Sequence, residues 1–246
     1  MAELRVRALP PLPEVVPGDD LAALVRAVHP EPFAAGAALV VSHKVVSKAE
    51  GAIVRLAEVE PGPRALELAA VLDKDPVVVQ VVLDQSRELI RAERGVLICR
   101  THHGLVAAHA GVDSSNVADG LCVTLPVDPD RSARELRDAL PGRPAVVIAD
   151  SFGRPWRHGQ AEVAIGCAGL VALDDQRGEH DRHGRELRAT QIAIADQLAG
   201  AADLARGKAS GQPAVRVDGL DRWTTDEHGP GAALLRRAAD EDLFGA

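Results

Sequence analysis

Tyrosine is absent from the chain, and two tryptophans and three phenylalanines bring aromatics to only 2% of its 246 residues. That scarcity excludes the stacked aromatic platforms on which single-stranded nucleic acids are usually held. Cysteine is nearly absent too: Cys99, Cys122 and Cys167 stand far apart with no CxxC pair, which excludes a disulfide framework and a zinc knuckle and suits a reducing cytoplasm. No run of about eighteen uncharged apolar residues is long enough to span a bilayer, and the opening "MAELRVRALPPLPEVVPGDD" lacks the apolar heart of a signal peptide. A soluble cytoplasmic protein is therefore expected, without a membrane partner. Neither GxGxxG nor GxxxxGK[ST] occurs, so a nucleotide site would have to be built without the two commonest phosphate loops. A net charge of −8 and a pI near 5.6 exclude a broad nucleic-acid surface but leave room for a local basic pocket around a small phosphorylated ligand. Lysine is the last scarcity. Four of the 28 basic residues are lysines, and two of those four, Lys44 and Lys48, fall within five residues of each other.

What is present is enough apolar sequence, 46% of the chain, for a substantial core. "LRVRAL", "AALVVS", "GVLICR", "GLVAAHAGV", "LCVTLPV", "PAVVIADSFG" and "QPAVRVDGL" read as strands, and "AEVAIGCAGLVAL" as a strand pair or a bend. "DDLAALVRAVH", "RALELAAVLD" and "DRSARELRDALPG" read as helices, as does "DPVVVQVVLDQS" despite valines that also suit a strand. "GRELRATQIAIADQLAGAADLARGK" predicts the longest helix, with Leu187, Ile194, Leu198 and Ala205 on one face. Strands and helices alternate without a steady βαβ rhythm, which predicts an α+β fold of mixed and antiparallel sheets with packed helices. No linker, repeat or low-complexity tract breaks the chain, so residues 1–246 are expected to form a single domain, with room for two subdomains.

Three clusters carry chemistry. Asp113 and Asn116 sit in a polar turn after one apolar run, and Asp150 and Ser151 at the end of another, with Arg154 and Arg157 nearby. Carboxylate and hydroxyl oxygens are the hard ligands that Mg²⁺ or Mn²⁺ prefers, although Asp and Ser are also ordinary turn formers. Lys44 and Lys48 are spaced i,i+4, which puts both on one face of a helix, either as a phosphate-binding pair or as a solvated surface, with Glu50 a candidate tether. "LARGKASGQPAV" offers Arg206, Gly207 and Lys208 in a loop that could wrap a phosphate or a base, though a helix C-cap also explains the glycine. His102, His103, His109 and Cys167 have no metal-ligand spacing or triad partner and read as structural.

Taken in order, "KVVSKAEG", "AGVDSSNV", "LPVDPDRSA", "IADSFGRPWRHGQAEVAIGCAGL", "HGRELRATQIAIADQLAGAADLARGK" and "PAVRVDGL" resemble the coenzyme F420:L-glutamate ligase family over about residues 5–220. The ending "AALLRRAADEDLFGA" is similar to actinobacterial two-domain relatives, which continue into a nitroreductase-like domain not expected here. The resemblance implies a family-specific fold in an intertwined homodimer. It implies a GTP-dependent, amide-forming ligase that adds L-glutamate to the coenzyme F420 precursor, F420-0, through an acyl phosphate, with release of GDP and phosphate. The implied cations are Mg²⁺ or Mn²⁺ at two sites, with K⁺ as an optional third, and the implied partners are GTP, L-glutamate, F420-0 and a separate nitroreductase-like protein. Carried over to this sequence, Leu12, Pro13, Glu14, Val15, His43, Lys44, Lys48 and Asn116 would contact the nucleotide, as would Arg206, Gly207, Lys208, Ala209, Ser210, Gly211, Gln212 and Pro213. Asp113 and Asp150 would be catalytic as ligands of one metal, and Ser151 a ligand of a second. Lys208 departs from the Glu or Gln that many archaeal relatives carry near that second metal. Two other readings stay open: a ligase for a different carboxylate, and a nucleotide-binding partner protein that has lost catalysis.

Overall fold

The computed structural model describes residues 3–207 and 210–242. Its centre is a five-stranded sheet in the order β1-β12-β2-β8-β9, built from β1 (Arg5–Ala8), β2 (Ala38–Ser42), β8 (Ala145–Arg154), β9 (Arg157–Ala168) and β12 (Ala214–Asp218). Only β2 and β8 run parallel; the other neighbours are antiparallel. Smaller sheets pair β3 (Ile53–Arg55) with β7 (Leu121–Val123), β10 (Leu173–Asp175) with β11 (Gln191–Ala193), and β4 (Ser86–Glu93) with β5 (Val96–Thr101) and β6 (Val106–Ala108). The helices are α1 (Leu21–Val28), α2 (His43–Ala49), α3 (Pro63–Leu72), α4 (Pro76–Asp84), α5 (Pro129–Ala139) and α6 (Ile194–Ala205). The fold is α+β with mixed and antiparallel sheets, as expected. No helix among the described residues is long and apolar enough to cross a membrane.

Because successive side chains of a strand point to opposite faces, the buried runs of β2 and β8 feed two cores. Leu39, Val41, Val146 and Ile148 pack with Leu21 and Val25 of α1 and Leu136 of α5. Val40, Val147 and Ala149 pack on the other face with Ala195, Leu198, Ala199 and Ala202 of α6. Covered on both faces, such strands read as continuous apolar runs. Small residues replace the missing aromatics and allow close approach. At Gly166 on β9, an added Cβ would stand 2.3 Å from the Pro129 carbonyl oxygen at the start of α5. Helix starts follow the sequence signals: Asp20, Asp75 and Asp128 accept from the backbone N–H groups of Ala23, Val77 and Arg131. A third, satellite core joins α3, α4 and β5 through Leu68, Leu72, Val79, Val82, Leu97 and Cys99.

The structure corrects several local expectations. The helix predicted across residues 184–208 begins only at Ile194, so Leu187 lies outside it; the Gly178 N–H donates to the Leu187 carbonyl, and Ile192 pairs with Asp174 in the β10–β11 ribbon. β-Branched Thr190 and Ile192 favour that extended path. "AEVAIGCAGLVAL" does bend, as one of its two readings had it: Ala161–Ala168 close the long strand β9, which begins back at Arg157, Gly169 turns with φ +70°, and Leu173 opens β10. Asp150 stands within β8 rather than at its end, since the strand continues to Arg154.

Candidate active site

A pocket of about 670 Å³ opens where the parallel strands β2 and β8 end or turn polar. It is lined by Leu12, Pro13, Glu14 and Val15, by His43, Lys44 and Lys48 of α2, by Asp113 and Asn116, by Asp150 and Ser151, and by Arg206, Gly207, Gly211, Gln212 and Pro213. Segments more than two hundred residues apart in sequence thus converge there. Ser210 lies beside this wall without lining it, and Lys208 and Ala209 lie outside the described residues.

α2 forms as the i,i+4 spacing predicts, and both lysines turn into the pocket. Lys44 Nζ stands 2.8 Å from Asp113 Oδ2 and donates to Ser115 Oγ at 2.6 Å. Lys48, 7% exposed, donates to Glu14 Oε1 at 2.6 Å and to the Asn116 carbonyl at 2.7 Å. A solvated lysine face is therefore excluded. Glu50 tethers neither lysine; it turns to Ser132, and burial pushes its carboxyl up while the Ser132 hydrogen bond works against that rise.

Asp113 is both a turn former and a pocket group. It exchanges backbone hydrogen bonds with Val123, and its Oδ1 accepts from the Ser115 N–H at 2.6 Å. Burial alone would raise its carboxyl, but hydrogen bonds from Lys44 and Ser115 and the lysine charge outweigh burial and hold it below the ordinary aspartate value. Asn116 takes the left-handed backbone, φ 58°, that asparagine tolerates. Asp150 Oδ1 accepts from the Ser151 N–H at 2.7 Å and lies 3.2 Å from His43 Nε2. His43, 1% exposed, has no hydrogen-bond partner for its Nε2 among the described residues, while its Nδ1 lies 3.3 Å from Ser47 Oγ.

Arg154 and Arg157 do not reach the site. They face each other at the tip of the β8–β9 hairpin, where Arg154 donates to the carbonyls of His158 and Gly159. His102 and His103 hold the backbone carbonyls of Asp84 and Pro126. His109 contributes to a left-handed turn before Asp113, with its imidazole lowered by burial and by Lys74, and burial pushes the Cys167 thiol to about 12. Sequence reasoning missed Ser42, Val45, Gln160, Ala161, Glu162 and Asp203 of the lining. Glu162 had a signal: one carboxylate inside the apolar run "AEVAIGCAG" requires a buried partner.

The oxygens of Asp113, Asp150 and Ser151 suit a hard divalent cation, and the unpartnered His43 nitrogen facing Asp150 marks polar capacity that the protein alone leaves unmet. Among the described residues, no three His, Cys, Asp or Glu side chains gather into a complete cage.

The F420-0:Gamma-glutamyl ligase family model matches residues 11–219. The coenzyme F420:L-glutamate ligase of Methanopyrus kandleri is 43% identical over 247 residues, covering 98% of this chain and 97% of that protein. The coenzyme F420:L-glutamate ligase of Methanothermobacter thermautotrophicus is 42% identical over 241 residues, covering 95% of each. The protein of the same name from Halobacterium salinarum is 41% identical over 239 residues, covering 94% of this chain and 92% of that protein.

Proposed function

The chain belongs to the F420-0:gamma-glutamyl ligase family, and on that premise we propose that it joins L-glutamate to the carboxylate end of F420-0, with GTP bound in the pocket as the driving substrate. The observation that carries the reading is the pair of inward lysines on α2, each meeting a carboxylate within the wall that also holds Asp150 and Ser151. A lysine-poor protein spends half its lysines where triphosphate charge would have to be neutralised.

A carboxylate is a poor acyl donor. In the proposed reaction its oxygen takes the γ-phosphoryl group of GTP, GDP leaves, and the amine of glutamate attacks the acyl carbon of the resulting acyl phosphate, expelling phosphate and forming the amide. Such chemistry asks the protein for position and charge rather than for a nucleophile. Lys44 and Lys48 would meet phosphate oxygens, while the segment 12–15 and the loop 206–213 would hold the rest of the nucleotide. Asp113, Asp150 and Ser151 would hold Mg²⁺ or Mn²⁺, which when bound neutralises phosphate charge and orients the transferring group. Asp113 must then share its oxygens between cation and lysine, and its lowered carboxyl keeps it anionic for that purpose. A homodimer is part of the same reading and is tested by light scattering.

Incubation with F420-0, L-glutamate, GTP and Mn²⁺ or Mg²⁺ should give a product heavier by one or more glutamyl units in mass spectrometry, with GDP formed in step. GTP turnover with some other carboxylate, but none with F420-0, would transfer the reading to a different acceptor. Nucleotide binding without turnover on any acceptor would make the chain a binding protein.

A further inference from the structure

Glu162 is a buried carboxylate in the pocket wall, 6% exposed, whose two oxygens serve two different elements. Oε1 accepts a short hydrogen bond from Ser151 Oγ, its register partner across β8 and β9. Oε2 accepts from Arg206 Nη2 at 2.7 Å. Arg206, with its side chain 8% exposed, also donates from Nη1 to the Pro213 carbonyl at 3.2 Å. One guanidinium thus ties together the two ends of the loop 206–213, and one carboxylate ties that guanidinium to the hydroxyl beside Asp150. A buried ion pair is a poor source of stability, because desolvation offsets most of the attraction. Burying both charges in a ligand-facing wall has another use.

We propose that Glu162 is a positioning residue that locks the Ser151 hydroxyl and the two loop ends, Arg206 and Pro213, into one arrangement. The proposal rests on the GTP-and-cation reading above. By accepting the Ser151 O–H hydrogen bond, Glu162 leaves the oxygen lone pairs of that hydroxyl turned outward, where a hard cation can use them. By neutralising Arg206 inside the wall, it makes that arginine a loop anchor rather than a phosphate ligand. Cation and nucleotide are then coupled through the Glu162 side chain, since each needs the geometry that it holds.

The test uses Glu162→Gln and the double variant Glu162→Leu/Arg206→Met, which replaces both charges with apolar groups of similar size. In Glu162→Gln, Mn²⁺-dependent GTP affinity measured by calorimetry should fall about 10- to 100-fold. In the ligand-free protein, the amides of Ser210 and Gln212 should exchange hydrogen faster than in wild type. The double variant should recover the wild-type melting temperature while its affinity and loop protection stay lost. Recovery of affinity together with stability would make the pair merely structural and overturn the proposal, as would wild-type affinity in Glu162→Gln. If the wild type itself binds no GTP with Mn²⁺, the nucleotide reading has failed, and the exchange measurement alone then decides whether Glu162 positions the loop.

Discussion

The Lys44–Asp113 and Arg206–Glu162 pairs line one pocket and have nearly the same length, 2.8 and 2.7 Å, yet they meet water differently. The side chains of the first are 16% and 38% exposed; those of the second are 8% and 5% exposed. Coulomb attraction between charges at one distance depends on the medium, and so does the cost of separating them. A half-open pair can exchange its partner for water, phosphate or cation at modest cost. A closed pair cannot, because removing one member strands the other in a dry wall. The first pair is therefore suited to meet ligands, and the second to hold the frame that presents them.

The largest effects should come from breaking the closed pair on one side only. Arg206→Met should cost about 3–5 kcal/mol of stability in urea unfolding, against no more than about 1 kcal/mol for Lys44→Met. Equal costs would erase the distinction. On activity the order reverses if, as proposed, the open pair serves the ligands: Asp113→Asn should lower ligation about 10²- to 10³-fold, with a melting temperature close to wild type. A large loss of stability instead would make Asp113 part of the frame.

Lys48 stands between the two cases, being buried itself but paired with the exposed Glu14. Lys48→Ala removes charged hydrogen bonds worth about 1.5–3 kcal/mol each in a favourable setting, so GTP affinity should weaken about tenfold or more while the fold persists. Loss of the folded state without ligand would count Lys48 as structural.

The smallest effect concerns Asp196, a carboxylate whose resolved hydrogen bond is to a neutral donor, the Ala164 N–H at 2.9 Å. Burial raises its carboxyl above the ordinary aspartate value, with that hydrogen bond acting the other way. The folded protein therefore keeps this proton to higher pH than the unfolded chain does. Its contribution is fully present below the unfolded value of about 3.9 and is lost as pH rises through the raised folded value. Asp196→Asn should gain melting temperature over wild type at pH 7 and less at pH 4. A constant gap would show that ionisation is not the cause.

The sequence made the open pair easier to read than the closed one, for physical reasons. Strand-to-helix continuity and i,i+4 spacing aim Lys44 and Lys48 in one direction, and capping aspartates and apolar periodicity mark α1, α4 and α5. Glu162 was hidden because its partners, Arg206 and Ser151, lie 44 and 11 positions away: strand pairing brings Ser151 opposite it, and Arg206 reaches it from the end of α6. β4, "SRELIRAE", escaped because it is mostly exposed and charged, and only its pairing with β5 makes it a strand. The overlong helix before α6 arose from the opposite error, in which helical periodicity was extended through residues that pair across a ribbon.

The central claim is that this pocket activates a carboxylate by phosphoryl transfer before the amine attacks. F420-0 labelled with oxygen-18 in its terminal carboxylate tests it most directly. During ligation with GTP and L-glutamate, each released phosphate should carry one labelled oxygen, and the amide product should keep the other. Product formation with unlabelled phosphate would contradict the account.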